Sequence, residues 1–393
     1  MRLTKASATA LFCATSALTA FACSKPSTGS ADTAEANVES ANDLFAASGA
    51  MPVRISAPFT TLWKRFKARQ ADPPKEEDGG PLASREVEYS EPGQLSFTED
   101  GVEKVLDMRV YVRGESSKND CPFPKVKIDF ENKEQLKQTP FKGHGKIRVN
   151  THCGPGDASA RSGMGRVMNG VGPVREELTY RLIRAAGIAT YRTRVLQVHY
   201  VDTADNTEID TFAMAMETGD DAAQRFAKAE PPLIDPETGV YLDPGKGEVS
   251  WSAKGTPENE AQITVAEAFA GNKDWGGTHN VDAFGIPKAQ NVFRIPQDFD
   301  LAAIALGDIA RYGKGVAPVT DARPGLRNPA VAAGLKDRRE AMEAAYLEAE
   351  KTAVEAKAVT SEDGRTTTDP GFLEARKRLT GLFDLPELQG GPV

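Results

Sequence analysis

The chain has 393 residues, 40% of them apolar and 26% charged, with a formal net charge of −8 at pH 7. That is enough apolar residue for one large or two modest packed domains, and the acidic balance argues against a nucleic-acid-binding protein, which would carry a basic stripe. The single basic cluster, Lys64-Arg65-Phe66-Lys67-Ala68-Arg69, has Glu76, Glu77 and Asp78 close behind it and reads as a solvated face.

Residues 1–23, MRLTKASATALFCATSALTAFAC, carry Arg2 and Lys5, then a run of small and apolar residues, then a cysteine directly after a small residue. This is the pattern of a secretory signal, and Cys23 is the expected lipidated residue, although Ala20 stands where a lipobox prefers leucine; ordinary cleavage is the alternative. Polar interruptions argue against a membrane span, and no later segment approaches the roughly 20 apolar residues that a span needs. Residues 24–50 have the small, polar composition of a tether. Removal of the signal leaves Cys23, Cys121 and Cys153. With Cys23 lipidated in an oxidising compartment, Cys121 and Cys153 are expected to pair, two buried thiols being the alternative.

Residues 85–130 read mostly as strands. REVEYSEPGQLSFTEDG alternates around Pro92-Gly93, and Val105–Val112 is a β-rich run ending at Arg113-Gly114. In CPFPKVKIDF, Val126, Ile128 and Phe130 alternate with Lys125, Lys127 and Asp129. In GHGKIRVNTHC, Ile147 and Val149 share one face and Lys146 and Arg148 the other. After the Gly-rich loop RSGMGRVMNGVGP comes a helix, PVREELTYRLIRAAG, with Val174, Leu178, Leu182 and Ala185 on one stripe and Gly187 as its stop. Two strands follow, TRVLQVHYVDT and TFAMAMETGDD, joined by a turn at Thr203-Ala204-Asp205-Asn206. Residues 229–258 look like an inserted loop or hairpin. QITVAEAFAG is a short helix stopped by Gly271, and long helices are expected near 335–359 and in FLEARKRLTGLF.

Residues 270–300 concentrate the polar chemistry. Phosphoryl transfer asks a protein for a carboxylate that orients the acceptor hydroxyl, oxygen ligands for Mg²⁺ and a cation on the phosphates. Asp274, just past the helix stop, could be the acceptor-orienting base, and Asn280 could hold a metal through its amide oxygen. Phe293, Ile295 and Phe299 alternate toward a core, which sets Asp298 and Asp300 together at a strand end, within reach of a divalent ion. Asp, Asn and Gly are equally the ordinary residues of turns. His199 reads as a sheet residue, and His152 beside Cys153 has no C-x-x-C or H-x-x-x-H partner for zinc. No G-x-S-x-G element supports hydrolase chemistry.

Several elements, in order, resemble the CotH family of secreted atypical kinases, and more closely a branch of envelope proteins with the same outline. Arg113-Gly114-Glu115-Ser116-Ser117 resembles an RGxSS element, and Cys121-Pro122-Phe123-Pro124 with Lys146–Cys153 resembles C-x-F-P-P and K-L-K-x-x-T-H-C. Arg175–Leu182 is similar to R-E-x-L-A-Y-R-L. Gly271–Trp275, His279-Asn280 and Pro296–Asp300 resemble G-N-x-D-W, H-N and P-x-D-F-D. Carried over, the resemblance implies Lys146 as the phosphate-contacting lysine and Glu176 as its acidic partner, while the helical wheel places Glu177 nearer the apolar stripe. It implies Met216-Glu217 at the nucleotide base and Asp220 or Asp221 at the ribose. One departure is the Asp274 to Asn280 spacing of six where a kinase has five, which Gly276-Gly277 could absorb unless His279 takes part.

The resemblance implies an α+β, two-lobed, atypical protein-kinase-like fold: a β-rich N-terminal region over 51–118, a small lobe over 119–217 and a large lobe with C-terminal helices over 218–393. The implied activity is an exported, lipid-anchored envelope kinase that uses ATP with Mg²⁺ or Mn²⁺ on a protein or small-molecule hydroxyl. The rival expectation is a binding or structural envelope module without turnover. Scarcity of ATP outside the cytoplasm favours that rival.

Overall fold

The structure is a computed structural model that describes residues 43–71, 89–114, 116–157, 159–243, 247–250, 252–275, 280–307, 309–312 and 314–390. The signal segment, Cys23, most of the tether, Glu115, Gly276-Gly277 and His279 lie outside them.

Strand β1 (Met51–Ala57) leads into helix α1 (Phe59–Ala71), then β2 (Ser90–Glu99), β3 (Val102–Val112), a single turn α2 (Ser117–Asp120), β4 (Val126–Phe130) and β5 (Lys146–Asn150). Helix α3 (Val171–Ala185) precedes β6 (Thr193–Asp202) and β7 (Thr207–Met216). These seven strands close into one barrel in the order β1-β2-β3-β4-β5-β7-β6. Closure comes from β1, which runs antiparallel to β2 and parallel to β6, pairing from Met51↔Leu196 to Ala57↔Asp202.

The two-lobed kinase-like expectation is overturned by this closure. Residues 51–118 are not an extension beside a small lobe; they supply β1, β2 and β3 of the barrel itself. Pairing of β3 with β4, from Met108↔Phe130 to Val112↔Val126, carries the hydrogen-bonded wall straight across the expected boundary. The last residues of the expected tether also belong to the fold, since Leu44 is fully buried and its N–H donates to the Pro140 carbonyl at 2.7 Å.

Alternation decides which side chains fill the barrel. Ile55, Leu95, Met108, Val110, Ile128, Ile147, Val149, Leu196 and Ala215 form its interior core. Pro92-Gly93 is not a turn: it runs inside β2 opposite Arg109 and Met108. A Cβ at Gly93 would lie 2.6 Å from the Ser56 carbonyl oxygen, so glycine there serves the close approach of β1. The real turn is Asp100-Gly101, both at positive φ (50° and 77°), as a tight hairpin requires.

Beyond the barrel lie α4 (Gly219–Ala227), β8 (Tyr241–Leu242), α5 (Pro257–Ala270), β9 (Val281–Phe284), β10 (Phe293–Pro296), α6 (Ala303–Leu306), α7 (Ile309–Tyr312), α8 (Arg323–Leu326), α9 (Pro329–Lys336), α10 (Arg339–Glu355) and α11 (Pro370–Phe383). Strands β8 to β10 form a small antiparallel sheet in the order β10-β9-β8. Helix α5 is capped as its sequence asks: Thr256 accepts from the Asn259 N–H, Pro257 opens the first turn, and Gly271 ends it at φ 68°. Val174, Leu178 and Leu182 of α3 pack into a second core with α5, α10 and α11. Arg175 on the same helix grips Asp369, the N-cap of α11, at 2.8 and 2.7 Å. No described helix is long and apolar enough to cross a membrane.

Two buried histidines sit in opposite environments. His152 is 1% exposed, stacks against Phe123 and has neither ring nitrogen hydrogen-bonded; burial lowers it to about 4. His144 lies 3.3 Å from Asp221 and 3.1 Å from Asp43; burial disfavours its charge, but those carboxylates outweigh burial and raise it to about 9. Unfolded imidazoles titrate near 6.5, so the two residues carry opposite pH signatures. The stability that His152 contributes relative to His152→Phe is full above about pH 6.5 and is lost, by about 3 kcal/mol, as pH falls toward 4. That contributed by His144 relative to His144→Gln is full below about pH 6.5 and is lost, by a similar amount, as pH rises through about 9. Urea unfolding of the three proteins from pH 4 to 10 checks both slopes.

Candidate functional site

The residues that converge are drawn from four separate stretches of chain. Lys125 stands one residue before β4, Glu176 is on α3, Arg166 is in the Gly-rich loop before α3, and Asp298 and Asp300 follow β10. Lys125 Nζ is 2.6 Å from Asp298 Oδ1 and 2.9 Å from Asp300 Oδ2. Arg166 donates from Nε to Asp300 Oδ2 at 2.7 Å, and its terminal nitrogens reach Asp120 at 2.8 Å and Ser116 Oγ at 2.7 Å. A second chain of contacts runs behind: Arg113 donates to Asn150 Oδ1 at 2.8 Å, and Asn150 Nδ2 donates to both Glu176 oxygens at 2.8 and 2.9 Å.

Backbone geometry places the acids. Pairing of β10 with β9 sets Pro296 opposite Val281, and the Gln297 N–H donates to the Asn280 carbonyl at 2.8 Å. Asp298 then turns through φ 57° and Asn280 through φ 58°, a left-handed region that Asp and Asn enter more readily than other non-glycine residues. The Tyr180 hydroxyl, from α3, accepts the Asp298 N–H at 2.9 Å and anchors that turn.

The electrostatics push the carboxyls apart. Burial would raise Asp298, but Lys125, Arg166 and Arg113 outweigh it and hold its carboxyl down at about 2. At Glu176 burial wins over Lys125, with Asp300 and Asp298 adding to it, and the carboxyl is pushed up to about 7. Burial acts against the Lys125 charge, yet Asp298, Asp300 and Glu176 keep the ammonium above its ordinary value. Burial and the neighbouring Arg148 lower Arg113 to about 10. Environments that split carboxyls in this way are characteristic of sites that move charge or protons.

Asp298, Asp300 and Glu176 therefore share one centre, and the other expected residues stand around it or apart. Asp274 is exposed, its N–H donating to Asn272 Oδ1 at 3.1 Å, and Asn280 Nδ2 reaches the Asp274 carbonyl at 3.4 Å. Lys146 points to solvent and pairs with Asp129 at 3.4 Å. It occupies the face that alternation assigns, but it is Asn150, further along that face, that meets Glu176. Glu177 is buried between Arg181 at 3.1 Å and Arg184 at 3.6 Å. Glu217 is held by Arg192 at 3.0 Å and Arg225 at 2.5 Å and anchors the β7 to α4 junction. Asp221 belongs to the His144 clamp. Cys121 and Cys153 are joined by a disulfide.

Sequence reasoning missed Lys125, Arg166, Arg113 and Asn150. Three of them had a signal: a lysine just ahead of a strand in Pro122-Phe123-Pro124-Lys125, an arginine inside a glycine-rich loop, and the first residue of the RGxSS element; Asn150 had none. For the metal, the donor chemistry fits: Mg²⁺ binds one or two carboxylates together with substrate phosphate oxygens. The expected trio of Asn280, Asp298 and Asp300 is not itself a cage, and among the described residues no group of three or more His, Cys, Asp or Glu side chains comes together to hold a metal. Lys125 and Arg166 occupy the carboxylates instead. Comparison with known proteins adds no assignment: no family model matches the chain, and no curated protein or solved structure matches it significantly.

Removing the ammonium breaks the ion pair to Asp298 while Arg166 still holds Asp300, so Lys125→Met should destabilise the chain by about 3 kcal/mol, the low end for a broken buried pair. Lys146→Met removes an exposed pair and should change stability by less than about 0.5 kcal/mol. Urea denaturation at pH 7 distinguishes them; equal costs would remove Lys125 from the centre of the site.

Proposed function

We propose that the chain is an envelope phosphotransferase that moves the γ-phosphoryl group of ATP to a hydroxyl of an envelope protein or small molecule, anchored through a lipidated Cys23. The observation that carries this reading is Lys125, a nearly buried ammonium set between Asp298 and Asp300 with Glu176 beside it. A buried ionic cluster of this kind is a poor stabilising device, because desolvation consumes most of its Coulombic gain. Its chemistry suits a phosphate: an incoming phosphoryl oxygen competes with the carboxylates for Lys125, and each carboxylate freed gives an oxygen donor.

Lys125, rather than Lys146, takes the phosphate contact in this reading. Arg166 keeps Asp300 oriented through its bonds to Asp120 and Ser116, and Asn150 keeps Glu176 facing Lys125. Asp274, exposed on the loop next to Asn280, orients the acceptor hydroxyl. Mg²⁺ or Mn²⁺ bound by Asp298 and Asp300 would neutralise charge on the phosphates. The motif resemblance to secreted atypical kinases supports the same chemistry, on a barrel-and-helix scaffold instead of the expected lobes.

A second reading has its own observation. Lys125 and Arg166 already neutralise Asp298 and Asp300, which leaves the centre electrically closed without any ligand, as a binding or structural module would have it. Thermal unfolding separates the two. ATP with Mg²⁺ or Mn²⁺ at a hundredfold excess over Kd should stabilise the chain by about 2.7 kcal/mol, and Asp298→Ala should abolish the shift. No shift with any nucleotide, in a chain that unfolds cooperatively, decides for the module.

A further inference from the structure

Lys125 ends a short segment that leads into β4, and its carbonyl accepts the Arg113 N–H at 2.9 Å. Between α2 and β4 the chain runs Cys121-Pro122-Phe123-Pro124, and its two prolines have no N–H to donate. Phe123 makes an isolated bridge to Cys153, with its N–H on the Cys153 carbonyl at 3.0 Å, and its own carbonyl accepts from Thr151 Oγ1 at 2.8 Å. A further tie is covalent: the disulfide joins Cys121, four residues before Lys125, to Cys153, three residues after Asn150. Beyond the β4–β5 pairing, it thus links the far ends of the segment that brings the ammonium to Asp298 and Asp300 and of the strand that brings the amide to Glu176. Cys121, Cys153, Lys125, Arg166, Glu176 and Asp300 line the same small cavity of about 30 Å³, room for a single water.

We propose that the Cys121–Cys153 disulfide is a redox gate on this site: the oxidised chain holds Lys125 and Asn150 in place, and reduction releases both. The inference rests on the phosphotransferase reading for its ligand. Reduction requires a dithiol. Its thiolate attacks one sulfur and displaces the other as a thiolate, which takes up a proton; its second thiol resolves the mixed disulfide. The chain ends with two thiols and the reductant with a disulfide, two electrons having passed. A gate of this polarity keeps the site unassembled in a reducing cytoplasm and assembles it where disulfides persist.

The test uses reciprocity: if the bridge and the nucleotide favour the same arrangement, each stabilises the other by the same factor. The full chain is equilibrated in dithiothreitol redox buffers with and without saturating MgATP, and the oxidised fraction is read by alkylation and mass spectrometry. A tenfold coupling makes the reduction potential of the bridge about 30 mV more negative with nucleotide. An unchanged potential while MgATP is bound overturns the gate. A second readout needs no nucleotide. The Glu176 carboxyl, followed by carbon NMR, should titrate higher in the reduced chain, because Lys125 no longer faces it, while far-ultraviolet circular dichroism is retained. An unmoved titration overturns the proposal. So does a reduced chain that loses its dichroism and titrates near the unfolded value of about 4.3, which marks a plain staple. If MgATP does not bind the oxidised chain, the phosphotransferase reading fails and the titration alone decides the gate.

Discussion

Two strands carry the architecture because, at the ends that meet the helices, both of their faces are committed. On β6 and β7, Leu196, Val198, Ala213 and Ala215 point into the barrel, while Val195, Met214 and Met216 point into the helical core. A strand buried on both faces cannot slip by one residue without exchanging its two sets of side chains. The register of this hairpin therefore fixes how α3 lies against the barrel. The position of α3 in turn fixes where Glu176 and Tyr180 meet the segment after β10.

The polar centre is assembled by parts that are each restrained from outside it. Asp298 is turned by the β9–β10 pairing and pinned by Tyr180. Asp300 is oriented by Arg166, whose remaining donors are spent on Asp120 and Ser116. Glu176 sits next to Arg175, which is locked onto the cap of α11. Lys125 is placed by its carbonyl, which accepts the Arg113 N–H at 2.9 Å, by the start of β4 and by the disulfide four residues before it.

Much of the local structure was legible. The stripe of α3, the Gly271 stop and the turn at Thr203–Asn206 all follow from periodicity and turn chemistry, and the acids at 298 and 300 were singled out by the alternation before them. The barrel was not legible, because its closing partner lies far along the chain and no local pattern records it. The strand pair around α3 followed by helices suits a two-lobed reading as well as a shared wall. Lys146 came from the motif resemblance, and alternation could tell which face it takes but not how far along the strand a partner from another element will arrive.

Parallel closure of the barrel also sets an order in time. Met51 must wait for Leu196, about 145 residues later, and at 5–20 residues per second of synthesis that delay is on the order of ten seconds. Until then the outer edge of β1 has no partner, and the entropy of closing so long a loop must be met before the β1–β6 hydrogen bonds form. An unpaired edge is a template for the wrong strand. The first described strand is thus secured only late, and the interval before β6 appears leaves its edge open to mispairing.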